Sequence, residues 1–254
     1  MQLDPALYNL DKIEHMIERN MDGLIDFRNQ NLWHQIKEKY SIEFQDSFSD
    51  EYSCYTQDNH AVFYVSKNNL CKDSFTHEML HVHMRIKEFY FGGAISNLLA
   101  GSRILSSMIS PALIEHIGNC LDHVKMLPLY LEMGFDREKF IVDYNLFKST
   151  SEEINQFQKF YRKGKNINIQ MVDPFIGRIV SILADPNDGF DYSDHIEKLK
   201  KIDPLLFRIV ERLLEHTKEL KADNIKLMDD TYLTVTHNFY ENLKKWVTSN
   251  KIAV

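Results

Sequence analysis

Apolar residues first recur at helical intervals. Over residues 8–40, Ile13, Ile17, Leu24, Phe27, Trp33 and Ile36 stand among charges and predict one or two amphipathic helices, broken near Asn20 to Gly23. The period then changes. Residues 42–45 alternate, 52–55 are short and aromatic, and 61–65 form a continuous β-prone run, which predicts three short strands. Asp73 or Ser74 can cap a helix from about Phe75 to Phe89, anchored by Met79, Leu80, Met84 and Ile86. Gly92, Gly93 and Gly101 make residues 91–110 a loop or a broken helix. Ser110 before Pro111 starts the next helix, which runs to a C-cap at Gly134 with a kink or break near Lys125, ahead of Pro128. Beyond Lys148 helices are predicted near 151–163, 172–184, 192–202, 204–220 and 224–248. The last two carry the stripes Leu205, Leu206, Ile209, Val210, Leu213, Leu214 and Ile225, Met228, Tyr232, Val235, Phe239, Trp246, and pair as a hairpin.

Composition sharpens this picture. The 254 residues are 44% apolar and 26% charged, with only 9 Gly and 6 Pro, so a real core built on long helices is expected. The fold class is α+β and mostly helical: a unit over 1–148 with a small β-sheet and an active-site helix, then a helical part over 149–254. Net charge is −7, and Lys198, Lys200 and Lys201 are interleaved with Asp194, Glu197 and Asp203, which argues against nucleic acid as the main partner. The first five residues lack a basic and apolar leader, and no stretch has the length of a membrane span, so a soluble cytoplasmic protein is expected. Cys54, Cys71 and Cys120 are odd in number with no C-x-x-C spacing, which suits reduced thiols.

The chemistry concentrates in His77-Glu78-Met79-Leu80-His81, an H-E-x-x-H pattern. Two imidazoles one helical turn apart share a face and can both reach one Zn²⁺, and Glu78 then stands beside the ion as a proton acceptor. Such a pattern arises by chance in roughly 3 of 100 chains of this composition, so its context carries the reading. A catalytic zinc needs a third protein ligand and an open position for water. Candidates for the third ligand lie in residues 115–123: Glu115, Asp122 and His123. Around a helix, Glu115, Asn119 and Asp122 share one face, with His123 turned about 80° from Glu115. His83 points to another face.

The stretch Phe75 to His81 resembles the active-site helix of the ImmA/IrrE-type metallopeptidases, a gluzincin group with an H-E-x-x-H motif. Residues Glu115, Gly118, Asn119, Leu121 and Pro128 fall on the pattern of that family's third-ligand helix, and the resemblance covers roughly residues 42–130. It implies a zincin-like unit in which His77, His81 and Glu115 ligate Zn²⁺ and Asn119 orients a ligating histidine. No helix-turn-helix segment is evident, so cleavage of a repressor is not implied.

These features predict a zinc metallopeptidase that hydrolyses a peptide bond of an intracellular protein or peptide. Glu78 moves the proton, and His123, chosen over Tyr130 and His116, donates to the developing oxyanion. The rival reading is a helical interaction module with a structural zinc, whose C-terminal helices bind a partner protein or self-associate. Asp185 to Gly189 reads as a turn, and His195, His216 and His237 stand in separate helices without a shared site.

Overall fold

The computed structural model describes residues 21–47, 49–221 and 231–253. It is 62% helix and 10% strand, the mostly helical α+β class expected, and no helix among the described residues is long and apolar enough to cross a membrane. The first part of the 8–40 pattern, with Ile13 and Ile17, lies outside the described residues, as do Ile225 and Met228.

Contacts group the chain into two units. One comprises the described residues up to Glu88 together with Met126–Tyr144; the other comprises Phe89–Lys125 and the residues from Asn145 onward. Residues 89–125 therefore group with the C-terminal helices, whereas the sequence reading divides the chain once, at 148.

In the first unit helix α1 (Gln30–Lys39) precedes strands β1 (Ser41–Asp46), β2 (Ser53–Gln57) and β3 (His60–Val65), and helix α2 (Lys72–Ile86) follows. The sheet order is β1-β3-β2, with β1 parallel and β2 antiparallel to β3. The central place of β3 explains its unbroken apolar run: Ala61, Val62, Phe63 and Val65 are all buried. Trp33, Phe44, Phe63 and Phe75, from α1, β1, β3 and α2, join in one aromatic core with centroids 5.1–6.2 Å apart.

Two polar nodes seat α2. Buried Asn29 donates from Nδ2 to Leu24 O and to Thr76 Oγ1, and Thr76 in turn donates to Lys72 O. The Tyr52 hydroxyl donates to Asn69 O at 2.8 Å and accepts from Cys71 N–H at 2.9 Å. This last bond falls at the observed N-cap, Cys71, which corrects the expected cap at Asp73 or Ser74. Asp73 lies inside the first turn and accepts from Tyr130 Oη at 3.3 Å. The helix also ends at Ile86, before the expected Phe89, where Glu88 takes a positive φ of 59°.

The second unit begins with α3 (Phe91–Ala100) and α4 (Arg103–Met108), so the glycine-rich stretch folds as two short helices. Helix α5 (Pro111–Glu132) starts as expected: Ser110 Oγ accepts from Leu113 N–H. Asp173 fixes that start by accepting from Ser110 N–H and Oγ–H at 2.7 and 3.0 Å. The expected break near Lys125 does not occur, because Pro128 removes one helical donor and the helix continues through it. Gly134, at φ 84°, closes α5 with Gly134 N–H on Leu131 O and Phe135 N–H on Tyr130 O.

There follow α6 (Ser151–Phe160), a small sheet of β4 (Arg162–Lys163), β5 (Asn166–Asn168) and β6 (Ile252–Ala253), then α7 (Ile169–Leu183), α8 (Ser193–Ile202), α9 (Pro204–Glu219) and α10 (Tyr232–Ser249). Helices α9 and α10 pack together as the stripes predict, although Leu205 faces outward. Buried Asp203 ties this unit: it accepts from Tyr161 Oη, Trp246 Nε1 and Leu206 N–H at 2.9, 3.0 and 2.9 Å. Residues 185–189 form the expected turn, with Asp185 and Asn187 side chains accepting from the backbone two residues on.

Candidate metal centre

Helix α2 carries the motif with its apolar side, Phe75, Met79 and Val82, sunk in the core, and this turns His77, Glu78 and His81 to one side together. His77 and His81 are half-buried and Glu78 is 9% exposed. His77 Nε2 and His81 Nε2 stand 3.2 Å apart, with ring centroids 4.9 Å apart. Two nitrogens each bound to one tetrahedral Zn²⁺ at about 2.0–2.1 Å would be separated by about 3.3–3.4 Å. The pair already has that spacing.

The third imidazole is His123. His77, His81 and His123 each offer a ligand atom, and these atoms all lie within 4.8 Å of one another. Tyr130 of α5 donates to Asp73, one turn before His77 on α2. Along α5, His123 lies seven residues before Tyr130, about 10.5 Å at 1.5 Å per residue, and Glu115 fifteen, about 22 Å.

The structure brings His123, and not Glu115, to the pair that the motif supplies. Glu115 and Asn119 are both exposed on α5, outside the three-histidine group, and His123, expected as an oxyanion donor, stands among the ligand candidates. Asp122, the other alternative, is buried at 1% exposure and is not part of the group; His83 is also outside it. Phe140 meets the His77 ring edge-on at 4.8 Å. Nothing in the sequence around Phe140 signals this contact, because the residue reaches the ring only through the fold. Tyr130 is occupied by Asp73 and its hydroxyl pKa is raised by burial, so it serves as an anchor; His116 bonds Ser181 Oγ at 2.9 Å elsewhere.

Electrostatics suit a metal. Burial, and then the neighbouring His81, hold His77 down at about pKa 3, so it presents a neutral imidazole at physiological pH. Burial lifts Glu78 to about 7, against the opposing pull of His81 and hydrogen bonds from the Cys54 thiol and amide. A neutral His77 imidazole, two further imidazoles and a carboxyl poised near neutrality fit a borderline-soft divalent ion and a proton acceptor. All three cysteines are free thiols, and only Cys120 is buried.

No protein-family model, curated protein or solved structure matches the chain.

Proposed function

We propose that this protein is a zinc-dependent metallopeptidase, with His77, His81 and His123 as the metal ligands and Glu78 as the group that moves the proton. The observation that carries the reading is the three-imidazole group with a buried Glu78 next to one of its members in sequence. Three protein donors leave a four-coordinate ion one position for water. When bound, the ion would acidify that water and polarise a peptide carbonyl.

The chain's own residues do the rest. Glu78, held near neutrality, accepts a proton at its carboxylate from the attacking water and returns it to the departing amine. The Phe140 ring, edge-on at 4.8 Å, packs the His77 ring in place. Strand β2 is one of the two outer strands of its sheet and touches Glu78 through Cys54, so an extended peptide adding along that edge would run beside the site. The likeness to the ImmA/IrrE-type helix is kept for α2 as part of this proposal; the gluzincin ligand set is not, since the third place goes to histidine.

The test combines metal analysis with one substitution. Purified full-length protein should hold one Zn²⁺ per chain and cleave an unfolded casein. Glu78→Gln should keep the zinc and lose at least about 10²-fold in rate. Protein that binds no zinc, or a Glu78→Gln variant that cleaves at the parental rate, overturns the proposal.

A further inference from the structure

The Glu78 carboxyl is buried, and a buried carboxyl without fixed donors has no single orientation. Both hydrogen-bond donors acting on it come from one residue of the neighbouring strand, the Cys54 thiol and the Cys54 amide. Strand β2 alternates exposed and half-buried positions, so Ser53, Tyr55 and Gln57 face outward while Cys54 and Thr56 face inward. The Cys54 sulfur also stands 3.4 Å from Glu78 O, so its one S–H is shared between the backbone and carboxyl oxygens of the same helical residue. Register fixes the strand from its other side, with Cys54 opposite Phe63 of β3. Phe63 packs on Phe75 at 5.1 Å, two residues before His77 on the motif helix. The line of contacts from β3 through β2 to Glu78 is continuous.

We propose that Cys54 is a positioning residue for Glu78, holding its carboxyl against the sheet edge in the orientation that proton transfer needs. The inference rests on the peptidase reading above and deepens it. A thiol is a weak donor and a long one, so the amide fixes the place of the carboxyl and the thiol limits its rotation. Removing the thiol leaves the metal ligands untouched but frees the carboxyl to turn away from the water it must deprotonate. A misplacement of about 1 Å at such a group can cost 10²-fold in rate.

Two measurements on the full chain test this. The first needs no substrate. At mildly alkaline pH a carboxylate beside the thiol opposes thiolate formation, and one unit of thiol pKa is about tenfold in thiolate. Glu78→Gln should therefore speed iodoacetamide labelling of Cys54 about tenfold, read by peptide mass spectrometry against Cys71 as the internal reference. The second uses the zinc-loaded protein and unfolded casein: Cys54→Ala should lower kcat about 10- to 100-fold with KM, zinc content and melting temperature unchanged, and Cys54→Ser, which keeps a donor, should restore most of it. An unchanged Cys54 to Cys71 labelling ratio overturns the proposal, as does Cys54→Ala turning over at the parental rate. Faster labelling in a protein that cleaves nothing supports the Cys54–Glu78 contact while overturning the peptidase reading, so the two fail separately.

Discussion

Replacing His123 by Ala tests the ligand assignment directly, with Glu115→Ala as its counterpart. His77 and His81 alone have the 3.2 Å spacing of two donors on one ion, and His123 completes a group within 4.8 Å. Zinc held by four donors is worth about 10–16 kcal/mol, so each donor accounts for about 2.5–4 kcal/mol. Loss of the His123 imidazole should weaken Zn²⁺ by about 10²–10³-fold, since 1.4 kcal/mol is tenfold. Glu115 stands eight residues from His123, about 12 Å along the axis of α5, and is exposed, so its loss should change zinc affinity by less than about threefold. Competition against a chromophoric chelator at neutral pH gives both affinities, and thermal melts of the metal-free proteins check that each variant folds. Glu115→Ala losing zinc while His123→Ala retains it would refute the axial argument and restore the ligand set implied by the family resemblance.

Other substitutions probe the frame around the site. Tyr52→Phe removes the donor to Asn69 O and the acceptor of Cys71 N–H, and should cost about 1–2 kcal/mol in urea unfolding below pH 10. Burial raises the Tyr52 hydroxyl from 10.0 to about 12, so the folded state keeps its proton longer than the unfolded chain. That contribution to stability is present below pH 10 and is lost as pH rises from 10 to 12, so Tyr52→Phe should show a smaller alkaline loss than the parent, with the part owed to the other buried tyrosines remaining. Gly118→Ala would bring a Cβ to 2.9 Å from Gly92 Cα and 3.0 Å from Gly92 N, and should destabilise by about 1–3 kcal/mol because the neighbour is backbone. Asp203→Ala leaves Tyr161, Trp246 and Leu206 N–H without their buried acceptor and should cost about 3 kcal/mol or more, read by calorimetry.

Where a feature depends on near neighbours in the chain, the sequence showed it. The H-E-x-x-H face follows from the 3.6-residue repeat of a single helix, and helix starts and ends such as Ser110 to Pro111 and Gly134 follow from local capping chemistry. The small sheet of β4, β5 and β6 was not legible: its strands are two or three residues long, and β6 pairs with β5 across more than eighty residues of chain. Such short strands show no alternation to read.

By itself the sequence determined the helical character of the chain, the three strands ahead of the motif and the face that unites His77, Glu78 and His81. All of these are set by periodicity within one element. Only the tertiary structure brought the third imidazole to the pair, the Phe140 ring against His77 and the Cys54 sulfur against Glu78. Angular position on α5 placed Glu115 and Asn119 together on a plausible face, but which turn of a helix lies level with a site depends on where that helix is pinned. Tyr130 meets Asp73 across 57 residues of chain, a contact that neither residue signals in the sequence.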